Sequence, residues 1–433
     1  MKSFKEKGRF EITLGIKESV AEKPVKIVPP AEIMSVYLKQ HLGVPTQPQV
    51  QIGDSVKFGQ ILGDLEENQK VYAAVHSPVN GKVIDITTQK NPFSNKVEQI
   101  IKIQTEDAKT NQVFEKLNPE TASKEDLLNR VKKAGIVGLG GATYPTHLKL
   151  GTPNRITNLI INAKESDPNT SSDYRLMVEK PDEVLKGIQV MAKILNVHDI
   201  IVATRTKEGM TPHLDAILQE HGIRVVRMRP NYSIGSEKLL IKEILGYEVP
   251  QGHYPPEIGI VVHNIATVYA VYEAVYEGLP LVSRGITFYS EQTGGENLWV
   301  RIGTPIEHIF NFLNISPTIF EKTIMGSIFM GPSLESLNIP IEKGTTAITG
   351  FSKDRSKPYA DEIPCIRCNY CNIVCPVDIY PQLIMEATKK ENVTLLKKLH
   401  VEVCIDCGLC SYVCPSLIKF TPYLLKGKKL IKT

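Results

Sequence analysis

The rhythm of apolar and polar positions changes several times along the chain, and each change predicts a different kind of element. Up to about residue 105, short Val/Ile-rich runs alternate with Gly, Asp and Pro turns, as in VQIGDSVKFGQILGDL and VHSPVNGKVIDI, which predicts short β-strands. From about 120 to 280 the spacing becomes helical between buried runs. TASKEDLLNRVKKAG predicts a helix with Thr121 and Ser123 as candidate caps and Gly135 as its stop. RITNLIINA and HDIIVATR read as buried strands, with PDEVLKGIQVMAKILN as the amphipathic helix between them, the order of an α/β layer with a largely parallel sheet. GITFYSEQTGGENLWVRIGTPIEHIFNFLNI then predicts strands followed by a short helix, and the polar stretch DRSKPYADEIP (354–364) a linker. Beyond it, PQLIMEATKK and NVTLLKKLHVE are helical in spacing, with Asn392 as a candidate N-cap.

Composition adds limits. A chain of 433 residues with 42 % apolar and 23 % charged content is long enough for about three ordinary domains and is not a disordered composition. A net charge of +4 is too mild for a nucleic-acid surface. The most apolar long window, Ile258 to Val275, carries His263, Asn264 and Glu273, which argues against a membrane span. The start, MKSFKEKGRFEITLG, has no apolar core for a secretory signal, so the expectation is a soluble, intracellular, multi-domain protein.

All eight cysteines lie at or beyond position 365. Cys365, Cys368, Cys371 and Cys375, then Cys404, Cys407, Cys410 and Cys414, both follow C-x-x-C-x-x-C-x-x-x-C-P, the spacing of bacterial 4Fe–4S ferredoxins. Three thiolates on a tight loop reach three irons of one cube, and in two-cluster proteins the fourth cysteine serves the other cube. The expected sets are therefore Cys365, Cys368, Cys371 and Cys414, and Cys404, Cys407, Cys410 and Cys375. A disulfide framework would spread its cysteines through a small secreted domain, and zinc has no use for the third cysteine of each run.

AGIVGLGGATYPTHLKL is the second constellation. Gly138, Gly140 and Gly141 allow a backbone to approach a ligand closely, and Lys149 would neutralise a phosphate there. Residue 143 is Thr, so this is not the dinucleotide fingerprint G-x-G-x-x-G. NAKESDPNTSSDYRLM (162–177) follows a buried strand and reads as a loop of mixed charge where ligands of α/β sheets sit. Residues 1–110 resemble the barrel-sandwich fold of lipoyl and biotinyl carriers, but Lys70 lacks the sequence context of an attachment lysine and reads as a turn residue on a scaffold. The basic end, KGKKLIKT, reads as a frayed tail, with contact to anionic lipid as the rarer reading.

Taken together, VYLKQHLGVPTQPQVQIGDSVKFGQ, GLGGATYPTHLK, NAKESDP, YSIGSEK, VVHNIAT and the two cysteine motifs resemble RnfC, the C subunit of the Rnf electron-transport complex, an ion-pumping ferredoxin:NAD oxidoreductase. They are also similar to the flavin-binding subunit of respiratory complex I. The resemblance implies a multi-domain α/β architecture: a barrel-sandwich domain (1–110), a Rossmann-like FMN/NADH domain (120–282), a β-grasp module (283–350) and a mostly helical two-cluster ferredoxin module (355–433). It implies FMN on the glycine loop, Tyr144 against the nicotinamide, Asn162, Asn264 and Thr267 as FMN contacts, Glu165 as the acidic residue near flavin and nicotinamide, and Glu237 on the adenosine ribose of NADH. Partners implied are membrane subunits moving Na+ or H+, and a ferredoxin-like electron partner, at the cytoplasmic face of the inner membrane.

Three departures stand out. The family's G-G-x-H-P-P is absent, with TLGIKESV in that region; its G-G-P-M-M-G is represented by GSIFMG (326–331); and Lys164 puts a positive charge beside Glu165, which would favour an anionic reduced flavin. Two other readings stay open: a soluble NADH-dependent reductase serving cobalamin or an amino-acid reductase, since such relatives share these modules, and an electron-wiring adaptor without a working nucleotide site, which Lys164 and the weakened GSIFMG favour.

Overall fold

The computed structural model describes residues 20–65, 71–107, 111–205, 212–229, 232–352 and 361–432. Lys70, nearly all of TLGIKESV and most of the 354–364 stretch lie outside the described residues.

Among the described residues, the N-terminal region from Val25 to Thr105 is built of β-strands. Its strands are β1 (Val25–Ile27), β2 (Ile33–Tyr37), β3 (Gln47–Pro48), β4 (Ser55–Val56), β5 (Ile61–Asp64), β6 (Val75–His76), β7 (Gly81–Asn91) and β8 (Lys96–Thr105). Two sheets form, ordered β2-β8-β7-β4 and β3-β5-β6, and they close on a core of Met34, Val36, Leu38, Leu62, Val83 and Ile101. Strand β1 leaves this unit and pairs in parallel with Asn297–Trp299, far along the chain.

Next, α1 (Lys124–Lys133) begins at Ser123, whose hydroxyl and Asp126 cap each other's backbone N–H, while the Thr121 hydroxyl donates to the Asn118 carbonyl instead. Then come α2 (Thr146–Leu150), β9 (Asn158–Asn162), α3 (Ser172–Glu179), α4 (Pro181–Leu195), β10 (Asp199–Arg205), α5 (Pro212–Glu220), β11 (Arg224–Met228), α6 (Glu237–Leu245), β12 (Ile260–Asn264) and α7 (Ile265–Tyr272). All four strands are parallel, in the order β11-β10-β9-β12. Successive residues of β9 alternate between faces: Leu159 and Ile161 join the core of α1, α4 and α7, and Ile160 joins that of α6. The sheet is thus covered on both sides, as its uninterrupted apolar strands require. The window Ile258–Val275 is divided between β12, α7 and the turns around them. Among the described residues no helix is long and apolar enough to cross a membrane.

A five-stranded sheet follows, built from β13 (Ser283–Ser290), β14 (Gly294–Arg301), β15 (Lys322–Met325) and β16 (Ala347–Phe351), with α8 (Ile306–Phe312) packed on it through Ile309 and Phe310. Its order is β1-β14-β13-β16-β15. The C-terminal region is helical: α9 (Tyr370–Ile373), α10 (Pro381–Lys389), α11 (Val393–Lys398), α12 (Leu409–Tyr412) and α13 (Phe420–Leu430). Asn392 caps α11, accepting the Leu395 N–H at 2.9 Å. The basic end is no frayed tail: through Leu430 it is helix, and Gly427 is buried where a Cβ would lie 2.8 Å from the Thr388 hydroxyl.

A buried ammonium joins three of these units. Lys343 Nζ donates to the carbonyls of Ala74 (2.6 Å) and Gly135 (2.7 Å), so the chain leaving α1 is clamped between the N-terminal sheets and the 283–351 sheet. Gly135 (φ +64°) cannot be replaced there, because its Cβ would lie 2.1 Å from the Ala74 oxygen. Burial, reinforced by Lys343, pushes His41 down to about 4 and His76 to about 3, and burial with Lys132 pushes His147 to about 4. These histidines bind protons less readily folded than unfolded, so the unfolded chain takes up the excess below pH 6.5. Stability is therefore fully present above pH 6.5 and is lost as pH falls towards 4, by several kcal/mol in all, since each tenfold change in proton affinity is worth about 1.4 kcal/mol. Urea midpoints read from the single tryptophan, Trp299, should fall steadily from pH 7 to pH 5; midpoints that hold level would contradict the burial of these rings.

Candidate flavin crevice and cluster module

Counting from β9, the parallel sheet has the order 3-2-1-4, so the progression of strands across the sheet reverses between β9 and β12. In open α/β sheets the crevice at the carboxyl ends of two such strands is the ligand position. Asn162 and Asn264 end these strands and stand opposite each other in register. Asn162 Nδ2 donates to the Gly235 carbonyl at 3.1 Å, and its Oδ1 accepts the Lys164 N–H at 3.2 Å. Asn264 Oδ1 caps α7 through the Ala266 N–H at 2.9 Å, and its Nδ2 donates to Asp173 Oδ2 at 2.6 Å.

The stretch read as a mixed-charge loop contains a helix, α3, whose start is organised by Glu165. Its carboxylate accepts the N–H groups of Asp173 (2.9 Å) and Tyr174 (3.3 Å), satisfying helix-start donors that the N-cap Ser171 does not serve, because its hydroxyl donates to Asn297 Oδ1 instead. To reach them Glu165 adopts φ 44°, a left-handed conformation that non-glycine residues seldom hold without a functional reason. Lys164 beside it is wholly buried, so its charge is not displayed on the crevice surface as the sequence suggested.

The glycine loop folds over this crevice. Val137 and Pro145 bridge its stem, the Gly138 N–H donates to the Tyr144 carbonyl (2.9 Å), and the Thr143 N–H to the Gly138 carbonyl (3.1 Å). Two groups pin it from below: Thr267 Oγ1 accepts the Leu139 N–H at 2.9 Å, and the buried Arg284 donates Nη2–H to the Leu139 carbonyl at 3.1 Å. Gly140 rides on Asn264, where a Cβ would come within 3.3 Å of the asparagine Cβ, and Gly141 (φ +104°) faces open space. The exposed apex, Gly140 to Ala142, carries no side chain larger than a methyl, a cradle that suits a phosphate and fits FMN. Tyr144 stands on the stem, 39 % exposed.

Lys149 is engaged elsewhere than expected. Its ammonium donates to Glu237 Oε1 and to the Val262 carbonyl, both at 2.9 Å, forming a half-buried ion pair at the first residue of α6. Behind it, burial and the Lys149 charge hold His263 well below the usual imidazole range. Asn162, Glu165, Asn264, Thr267 and the glycines thus gather at one crevice, Glu165 and Asn264 through Asp173 and Thr267 through Leu139, with Lys149 and Glu237 as a second pair beside β12.

The two cysteine motifs superimpose as a repeat 39 residues apart. Arg367 and Asp406, Asn369 and Gly408, Asp378 and Leu417 all have positive φ, and α9 and α12 begin and end at equivalent positions. A cavity is lined by Cys404, Cys407, Cys410 and Cys375, the fourth drawn from the other motif, with Pro376 and Leu409. Four thiols around one small apolar space fit a cube. Burial pushes these thiols up, Cys404 to about 12 and Cys407 to about 11, so protons must leave as iron binds. Of the other set, Cys365 and Cys368 are exposed and Cys371 is buried and pushed up to about 11, mainly by burial. The start of that motif is tied to the residues after Cys414: the Ile363 N–H donates to the Ser416 carbonyl and Ser416 Oγ to the Pro364 carbonyl, both at 3.1 Å.

Sequence reasoning gave GSIFMG no role beyond a weakened motif, but it links crevice to clusters. Ser327 Oγ donates to Asp167 at 2.6 Å, and Phe329 lies between Tyr232 (4.7 Å between centroids) and Tyr412 (5.1 Å) beside Cys407. Asp173, visible in the sequence only as one charge of the 162–177 stretch, holds Asn264, and Arg284, which pins the glycine loop, was missed.

Three family models match the chain: an RnfC barrel sandwich hybrid domain over residues 13–108, a Nuo51 FMN-binding domain over 131–273 and a 4Fe–4S dicluster domain over 357–415. The C subunit of the proton-translocating ferredoxin:NAD(+) oxidoreductase complex of Clostridium ljungdahlii is 34 % identical over 87 % of this chain and 82 % of its own length. The C subunit of the ion-translocating oxidoreductase complex of Buchnera aphidicola is 31 % identical over 89 % and 81 %. That of Citrobacter koseri is 32 % identical, and the chain spans about half its length, 51 %. Among solved structures, an NAD+-reducing NiFe hydrogenase in the H2-reduced state shares the fold at TM-score 0.51 and 16 % identity, over 96 % of this chain and 85 % of the hydrogenase chain. The barrel-sandwich, FMN-binding and dicluster regions stand in the same order in sequence and structure, and the chain belongs to the RnfC family, the C subunits of ion-translocating oxidoreductase complexes.

Proposed function

We propose that the chain is the electron-transfer subunit through which NADH, FMN and two 4Fe–4S clusters exchange electrons with partner subunits that transport Na+ or H+. The observation that carries this reading is the glycine loop closing over the switch point, where Asn162, Asn264, Glu165 and Thr267 meet, with one cluster motif linked to the same crevice through Phe329. FMN, when bound, supplies the conversion between a two-electron hydride donor and one-electron carriers.

The chain's own residues do the positioning. The amides of the Gly140–Gly141 apex receive the phosphate, Gly138 closes the stem beneath them by donating to the Tyr144 carbonyl, and Thr267 and Arg284 keep the loop at its height. Asn162 and Asn264 border the flavin ring system, and Tyr144 offers an exposed face for the nicotinamide. Glu165, held beside the crevice by the α3 N–H groups, is the acidic residue at the reacting centre. Glu237, oriented by Lys149, takes the adenosine ribose of NADH. Cys365, Cys368, Cys371 and Cys414 hold one cluster, and Cys404, Cys407, Cys410 and Cys375 the other.

In this reading residues 1–110 form the barrel-sandwich domain and 120–282 a Rossmann-like domain. Residues 283–350, joined by Val25–Ile27, form a β-grasp module, and 355–433 the ferredoxin module. The protein docks at the cytoplasmic face of the membrane on ion-transporting subunits and exchanges electrons with a ferredoxin-like partner. The adaptor alternative rests on the Lys164 charge and the altered GSIFMG motif; against it stand the burial of Lys164 and the packing of Ser327 and Phe329 between crevice and clusters.

Glu237→Gln should raise the KM for NADH about tenfold, as expected for loss of about 1.4 kcal/mol of binding, with FMN and iron content unchanged. An unchanged KM would take Glu237 out of the nucleotide site.

A further inference from the structure

The two cysteine motifs differ in one respect that their common geometry makes conspicuous. At equivalent left-handed positions, Arg367 (φ 54°) and Asp406 (φ 56°) each donate a backbone N–H to the sulfur of the motif's first cysteine, both at 3.4 Å, yet they carry opposite charges. Asp406 Oδ1 lies 3.5 Å from Cys404 Sγ, against a ligand sulfur. The last helix answers that charge. Lys428 Nζ, only 20 % exposed, donates to Asp406 Oδ2 at 2.7 Å and to the Cys404 carbonyl at 2.6 Å. Arg367 is exposed.

Reduction adds one negative charge to a cube. A nearby cation favours the reduced form and an anion disfavours it, more strongly where water is excluded. From this arrangement we propose that Lys428 cancels the effect of the Asp406 charge on the reduction potential of the cluster held by Cys404, Cys407, Cys410 and Cys375, whereas Arg367 raises that of the other, so that two near-identical motifs hold cubes of unequal potential. The inference rests on the two-cluster assignment made above. It assigns Lys428, in the segment that the sequence presents as a basic tail, the role of a positioning and tuning residue. Lys426 and Lys429 are its exposed neighbours; Lys426 pairs with Glu391 at 2.9 Å, away from the cysteines.

The test is an anaerobic EPR-monitored redox titration of the full, iron-replete chain. K428M should move one of the two reduction waves to lower potential, because the Asp406 charge is left uncompensated beside the cube. D406N should move the same wave upward, the double variant should return it close to its original position, and K428R should leave it in place. R367Q should lower the other wave by a smaller amount, and its shift should shrink at high salt because the side chain is exposed. Unmoved waves in iron-replete K428M and D406N would overturn the proposal, as would both waves moving together. Loss of iron in K428M with unmoved waves in D406N would also overturn it, leaving the pair a purely structural tie. A wild-type chain that binds no iron and shows no reduced-cluster signal would instead remove the cluster assignment itself.

Discussion

Cys375→Ser should cost the protein the same cluster as Cys407→Ser, although Cys375 belongs to the first motif in sequence. The cavity that gathers Cys404, Cys407 and Cys410 is completed by Cys375 and by no other cysteine. Serine is a poorer ligand for iron than a thiolate, so each of these variants should fall from about eight irons per chain to about four. Their residual EPR signals should be alike and should differ from those of Cys368→Ser and Cys414→Ser. If Cys375→Ser instead matched Cys368→Ser, each motif would hold its own cube and the crossed sets would be wrong.

Gly140→Val should abolish firm flavin binding while leaving the iron intact. A Cβ at this position already comes within 3.3 Å of the Asn264 Cβ, and the branches of valine reach further. Asn264 has little room to yield, because one end of its amide caps α7 and the other holds Asp173 at 2.6 Å. The loop must lift instead, and with it the backbone cradle. Retention of FMN should weaken more than about tenfold, a loss above about 1.4 kcal/mol, with unchanged absorbance from the clusters. Gly140→Ala, which needs a shift of only a few tenths of an ångström, should have the milder effect. Full retention of FMN in Gly140→Val would place the flavin elsewhere.

What could be read in the sequence was whatever depends on local spacing. Two runs of C-x-x-C-x-x-C-x-x-x-C-P fix ligand reach within a few residues, and the buried strands around Asn162 and Asn264 announce themselves by continuous apolar runs. The capping role of Asn392 was equally local. What could not be read depends on partners far along the chain. No periodicity shows that Val25–Ile27 pairs with Asn297–Trp299, or that β12 returns beside β9 to make a switch point. Helix α3 was hidden because its start is capped by Glu165, seven residues ahead of it and in a left-handed conformation, and not by an adjacent Ser, Thr or Asp side chain. Lys149 had the right charge for a phosphate, but α6 brings Glu237 to it. Lys428 looked like surface charge because only the packing of α13 on the cluster loops reveals what it touches.

The most direct test of an NADH–flavin–cluster path is an anaerobic titration of the FMN-supplemented, iron-reconstituted chain with NADH, followed by visible and EPR spectra together. Bleaching of the flavin accompanied by the growth of reduced-cluster signals, in the absence of any other subunit, is the predicted result. Clusters that dithionite reduces but NADH leaves oxidised, with the flavin unbleached, would contradict it and leave the chain as a conductor between other redox proteins.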